Sequence, residues 1–139
     1  MRRAREAANA ALDPDGPQGR CRYQHGWFAH LPFHEATWQR YESGYGHIGP
    51  HRDQAFYKGV ILIVTLAGEA ESTVLESRDP PLTLDRWTTA AGDMVLLRGA
   101  DLGVCGARCP LHQIGTPTSG RLTLTLRHNE RGYTRWPTP

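Results

Sequence analysis

No stretch of this chain is apolar for long enough to cross a bilayer as a helix. The longest run, Val60–Ala67, falls far short of the roughly 20 residues required. The start, Met1-Arg2-Arg3-Ala4-Arg5-Glu6, leads into no apolar signal core, so the expectation is a cytoplasmic protein with no membrane partner. Neither sign of charge is in excess: the formal net charge is +2 and the pI near 8.6. A nucleic-acid groove needs a concentrated basic patch, and no dense Lys/Arg stripe is present. Cysteine is scarce and odd in number. Cys21, Cys105 and Cys109 cannot make a fully paired disulfide framework. Cys105 and Cys109 lack a second Cys/His pair at zinc-finger spacing, and all three are expected as reduced thiols. No internal repeat is visible.

What is present points to one turn-rich globular domain. The length, 139 residues, suits a single core, and 15 Gly with 10 Pro punctuate short segments. Residues 1–18 are expected as a helical or flexible lead-in: Ala4, Ala7, Ala8, Ala10 and Ala11 favour a short helix that Asp13-Pro14-Asp15-Gly16-Pro17 breaks. Residues 19–139 form the main domain. Its candidate strands are Gly26–His30, Thr37–Tyr41, Gly59–Leu66, Glu71–Glu76, Leu82–Asp85, Met94–Arg98, Leu111–Gly115 and Arg121–His128. Gly59–Leu66 is apolar on both faces and reads as a central strand. Arg121–Arg127 alternates strictly, with Leu122, Leu124 and Leu126 on one face and Arg121, Thr123, Thr125 and Arg127 on the other. This pattern, with hardly any helix, predicts an all-β double-stranded β-helix, or jelly roll, preceded by a short N-terminal helix. A polar strand face turned into the mouth of such a barrel can line a site.

The residues with chemistry are few. In an extended segment His51 and Asp53 project to the same side, so an imidazole and a carboxylate can grip one ion. His112, at the start of a later strand, supplies a third donor. Two His and one carboxylate on one face of an octahedron are the ligand set of non-haem Fe(II) oxygenases, with three positions left open. Arg121 and Arg127 add cations on one strand face, suited to a dicarboxylate. The bland alternative for these arginines is a solvated strand face.

The run from Tyr41 to Asp53 (Tyr41-Glu42-Ser43-Gly44-Tyr45-Gly46-His47-Ile48-Gly49-Pro50-His51-Arg52-Asp53), the later Leu111-His112-Gln113-Ile114, and the Arg-x5-Arg spacing of Arg121 and Arg127 together resemble the 2-oxoglutarate/Fe(II) oxygenases, within them the AlkB-like branch. The resemblance covers roughly Arg40 to His128. It implies that His51, Asp53 and His112 bind Fe(II), that Arg121 pairs with the distal carboxylate of 2-oxoglutarate, and that Arg127 lies near its 1-carboxylate or the substrate. Tyr41 matches a tyrosine that hydrogen-bonds the cosubstrate, and Thr123 is a further contact. The implied reaction consumes O2 and 2-oxoglutarate, releases succinate and CO2, and hydroxylates or oxidatively N-dealkylates a small molecule or an alkylated nucleobase. Such chemistry needs no protein nucleophile and no acid–base pair, so the missing Ser-His-Asp and twin-carboxylate signatures do not count against an enzyme.

Two departures bear on the substrate. Gln39 stands where the family commonly has asparagine, and the part before His51 is shorter than the nucleotide-recognition lid of the dealkylases. The alternatives are a non-enzymatic, cupin-like metal-binding sensor or binding module, and a cupin-like metal enzyme that uses no oxoacid; a buried cation at Arg121 separates both from the oxygenase. His47 and His128 are expected as loop or strand-end residues rather than ligands. His25, His30 and His34 with Trp27, Phe28 and Phe33 read as a partly buried strand and its turn, with the edge of a substrate lid as the alternative, while Trp87, Arg98 and Asp101 are further candidates for substrate contact. Nothing in the sequence fixes the oligomeric state.

Overall fold

The computed structural model describes Phe33, residues 35–102 and residues 106–132; the lead-in helix, the strand Gly26–His30, the histidines 25, 30 and 34, Trp27, Phe28, Cys21 and Cys105 lie outside them. Seven strands follow one another: β1 (Glu35–Tyr41), β2 (Ile48–His51), β3 (Tyr57–Arg78), β4 (Pro81–Ala90), β5 (Met94–Arg98), β6 (Leu111–Ile114) and β7 (Arg121–Asn129). No helix occurs among the described residues, so none is available to cross a membrane. The all-β expectation holds, as do the positions of β1, β5, β6 and β7.

β3 organises the molecule. The sequence suggests two strands, Gly59–Leu66 and Glu71–Glu76, because Ala67-Gly68-Glu69 looks like a turn. The chain instead runs through as one 22-residue strand. Its first half pairs with β5 and β7, and its second half with β4 and β6. β1 extends the first half by pairing with β7, and β2 extends the second by pairing with β6. All these pairings are antiparallel, and the register of β3 against β7 shifts between Thr65 and Ala67, where an irregularity bends a strand and raises its twist. One sheet thereby curls into two facing halves, the arrangement expected of a jelly roll.

Gly68 makes this passage possible. It sits at φ +69°, and a Cβ there would collide with the carbonyl of Gly120. Gly68→Ala therefore meets both a disfavoured backbone and a backbone clash. Its expected result is a loss of more than about 2 kcal/mol of stability, seen as a lower midpoint in urea.

The two faces of the first half are reversed relative to ordinary burial. Across four strands run two apolar rows, Ala36–Leu126–Leu62–Leu96 and Trp38–Leu124–Val64–Met94. These rows point outward: Trp38 is 64% exposed, and Met94 and Leu96 are each 68% exposed. The inward face of β7 carries Arg121, Thr123 and Thr125, all buried. Small apolar clusters flank this polar interior. One joins Ile61, Leu97, Ala100 and Cys109, with Tyr57, Ile63 and Val95 packed against it. The other joins Tyr41, Ala70 and Ile114, with Ile48 beside it.

Candidate metal centre

β2 is absent from the strands expected on sequence, and it carries Gly49 and Pro50. Its place in the strand order explains the tolerance: β2 is an edge strand, where a proline needs no ladder donor. The preceding loop folds back on Tyr41, with the Gly46 N–H donating to the Glu42 carbonyl at 2.9 Å. It is pinned to the β6–β7 connection by the Gly44 N–H on the Pro117 carbonyl at 3.0 Å and by the Ser43 hydroxyl on the Thr118 carbonyl at 2.6 Å.

β2 and β6 set His51 directly opposite His112. Their rings tilt at 51° with centroids 4.2 Å apart. Each ring is tethered the same way: His51 Nδ1 lies 2.9 Å from the Gly49 carbonyl, and His112 Nδ1 lies 3.0 Å from the Pro110 carbonyl. A carbonyl only accepts, so Nδ1 is the donor in each ring, and the neutral form of either ring would then present its Nε2 lone pair, the tautomer a metal-binding histidine requires. Arg52 points away and donates to the Cys109 carbonyl at 2.6 Å. Asp53 returns to the histidine side, its Oδ2 3.9 Å from His112 Nε2.

These donors suit a divalent cation. Two ligands each roughly 2.0–2.2 Å from one ion stand no more than about 4.4 Å apart, so the Asp53–His112 separation admits a shared ion. Among the described residues, however, no group of three or more His, Cys, Asp or Glu stands close enough together to hold a metal ion. His51, Asp53 and His112 line one cavity with Gln39, Tyr41, Ile48, Ile63, Ile114, Arg121 and Arg127, which gathers every candidate ligand and cosubstrate residue named from sequence except Thr123. Thr123 is fully buried on the same face of β7 as Arg121.

Arg121 is 3% exposed. One terminal nitrogen, NH2, donates to the Thr65 and Thr89 hydroxyls, each at 3.0 Å. Its Nε and NH1 are buried without a hydrogen-bond partner among the described residues, and its guanidinium carbon lies 5.4 Å from the centre of the Tyr41 ring. Burial lowers its pKa, with the neighbouring Tyr41 acting the other way. Burial conversely raises the Tyr41 phenol, with Arg121 opposing, so Tyr41 is a neutral donor near pH 7. The hydroxyls of Thr123 and Thr73 and the Nε of Arg127 are also buried without partners. These orphaned groups, mostly donors, suit an anion.

Arg127 reaches Asp53 Oδ1 at 3.6 Å and donates to the Thr37 hydroxyl at 3.1 Å. Gln39 accepts from Thr125 at 3.3 Å. Thr65, Thr89, Glu35 and Tyr57 were not foreseen; their roles depend on neighbours across the sheet, for which sequence carries no local signal. Of the remaining candidates, Trp87 lines a second cavity with Thr73, His112 and Arg121. Arg98 and Asp101 are used structurally, on the Arg108 carbonyl and on Lys58 with the Gly106 N–H respectively. His47 is exposed beside the Tyr45 carbonyl, and Tyr45 is 84% exposed. Phe33 is exposed. Cys109 is a buried free thiol whose pKa is raised by that burial.

Burial lowers the His112 pKa below its ordinary 6.5. The folded chain thus resists a proton that the unfolded chain accepts, so stability is full above about pH 6.5 and falls as pH drops toward the folded value. The metal-free protein is expected to lose thermal midpoint from pH 7 to pH 5, with a shallower slope in His112→Gln.

No family profile matches the chain, and no curated protein matches it. Solved structures with partial likeness include a conserved protein of unknown function from Streptococcus pyogenes, SPY1581 (TM-score 0.45, 16% identity, 68% of this chain and 62% of that one). A Cupin 2 conserved barrel domain protein from Salinispora arenicola has TM-score 0.45 and 18% identity over 69% of this chain and 63% of that one. The DMSP lyase DddQ from Ruegeria pomeroyi has TM-score 0.47 and 16% identity over 71% of this chain and 40% of that one. The chain thus spans less than two thirds of each of these proteins. None of the likenesses is close enough to carry a reaction or a ligand over.

Proposed function

We propose that this chain is a mononuclear non-haem Fe(II) oxygenase that takes 2-oxoglutarate as cosubstrate, working in the cytoplasm on a small molecule or an alkylated nucleobase. One observation carries the reading: Arg121 is buried with unpartnered N–H groups and no ion-pair partner among the described residues, and it faces the cavity that His51, Asp53 and His112 also line. An uncompensated buried charge costs several kcal/mol, and a ligand carboxylate would offset that cost. A simple cupin-like metal enzyme or sensor has no need of such a cation.

In this reading His51 Nε2, His112 Nε2 and an Asp53 oxygen would hold Fe(II). Fe(II) with 2-oxoglutarate and O2 supplies the oxidising power for hydroxylating a C–H bond, with succinate and CO2 released. Arg121 Nε and NH1 take the distal carboxylate. Tyr41, whose ring lies beside that guanidinium, would donate a hydrogen bond to the same cosubstrate, and the Thr123 hydroxyl would add a contact. Arg127 Nε is offered to the 1-carboxylate or the substrate. Where the hydroxylated carbon is attached to nitrogen, collapse of the product gives dealkylation.

The test is anaerobic addition of Fe(II) and then 2-oxoglutarate. The expected result is a weak visible charge-transfer band, followed by succinate release when O2 is admitted. Metal uptake without that band would exclude the oxygenase and leave a cupin-like binding module.

A further inference from the structure

Arg127 does not face Asp53 alone. Glu35, its direct partner across β1 and β7, places Oε1 3.7 Å from Arg127 NH1. Glu35 is itself held on both oxygens: the Tyr57 hydroxyl donates to Oε1 at 2.6 Å, and the Asn129 amide donates to Oε2 at 2.6 Å. Tyr57 and Asn129 are paired across β3 and β7, so three adjacent strands build the arrangement. The Tyr57 ring also lies under the guanidinium, 4.9 Å from its carbon. Burial and the bond to Glu35 push the Tyr57 phenol up to about 12.

We infer that Glu35 is a positioning residue for the metal centre: it fixes and neutralises the Arg127 guanidinium, which in turn orients the Asp53 carboxylate. The inference rests on Asp53 being a metal ligand. The two Asp53 oxygens are divided, Oδ1 toward Arg127 at 3.6 Å and Oδ2 toward His112 Nε2 at 3.9 Å. A guanidinium drawing one oxygen toward itself leaves the other toward His112. The side chains of Glu35, Arg127 and Asp53 are only 20%, 12% and 11% exposed, so solvent and salt screen their attraction weakly. Charge balance gives the direction of the effect. Arg127 lies between two carboxylates; without Glu35 its whole positive charge bears on Asp53 and on any cation bound there.

The experiment is an anaerobic Co(II) titration of the full chain, read by the d–d absorption of the bound ion, on wild type, Glu35→Gln, Arg127→Met and the double variant. Glu35→Gln is expected to weaken Co(II) binding about tenfold, the lower end of what groups orienting a ligand contribute. In the Arg127→Met background the same substitution should change little, because its action runs through Arg127. A general loss of fold would lower affinity in both backgrounds alike, and the thermal midpoint of the metal-free protein checks for it. If Glu35→Gln does not fold, Tyr57→Phe, which removes only the hydroxyl donor, decides, with a smaller loss in the same direction expected. Unchanged affinity in the folded single variants, or additive effects in the double, overturns the inference alone. A wild-type chain that takes up no Co(II) overturns it together with the metal reading.

Discussion

Arg121→Met is expected to raise the 2-oxoglutarate concentration for half-saturation about 10- to 150-fold, the equivalent of losing a charge-assisted contact worth roughly 1.5–3 kcal/mol. Metal affinity should stay near wild type, because the hydrogen bonds of Arg121 go to Thr65 and Thr89 rather than to His51, Asp53 or His112. The substitution also removes a buried cation whose hydrogen bonds among the described residues are to two threonine hydroxyls. Methionine is close in length and needs no partner. The metal-free variant should therefore melt no lower than wild type, and higher if the stranded charge outweighs the two lost hydrogen bonds. Titrating 2-oxoglutarate into the anaerobic Co(II)-loaded chain measures the first effect, and calorimetry the second. An unchanged 2-oxoglutarate requirement would move the carboxylate site to Arg127.

Asp53→Ala should abolish metal uptake at concentrations that saturate wild type. Losing a ligand outright exceeds the roughly 10- to 100-fold effect of losing a group that only orients one. The fold should largely survive, since Asp53 follows the end of β2, and Arg127 retains Glu35 and Thr37. Equilibrium dialysis with Co(II) or Mn(II) gives the affinity, and the thermal midpoint checks the fold. Wild-type uptake in the variant would remove Asp53 from the ligand set and, with it, the division of labour drawn for Arg127 and Glu35.

How much of this could be read without coordinates differs by element. β5 and β7 are evident because alternation or bounded apolar runs mark them. His51 and Asp53 on one side of an extended segment, and His112 on another strand, follow from strand geometry, and the structure brings the three to one cavity. Two kinds of information were hidden. Gly49-Pro50 and Ala67-Gly68 look like chain reversals locally. Edge position makes the first tolerable, and close approach to Gly120 gives the second its purpose. The partners of the arginines were also invisible. Thr65 and Thr89 meet Arg121, and Glu35 meets Arg127, only because pairing aligns distant strands. The alternation in β7 separates two faces but does not say which turns inward. The polar one does: Arg121 bonds Thr65 and Thr89, and Thr125 bonds Gln39, while the leucines join the exposed sheet face.

If the proposed ion binds, the direct pairing of His51 with His112 would make its uptake a ruler for strand alignment. Side chains on a strand alternate with a period of two, so sliding β2 by one position against β6 would send one imidazole to the far side. A correctly gripped ion therefore favours one alignment over its neighbours and stabilises it by mass action. Metal should deepen protection from hydrogen exchange first along these two short strands, before the long shared strand changes at all.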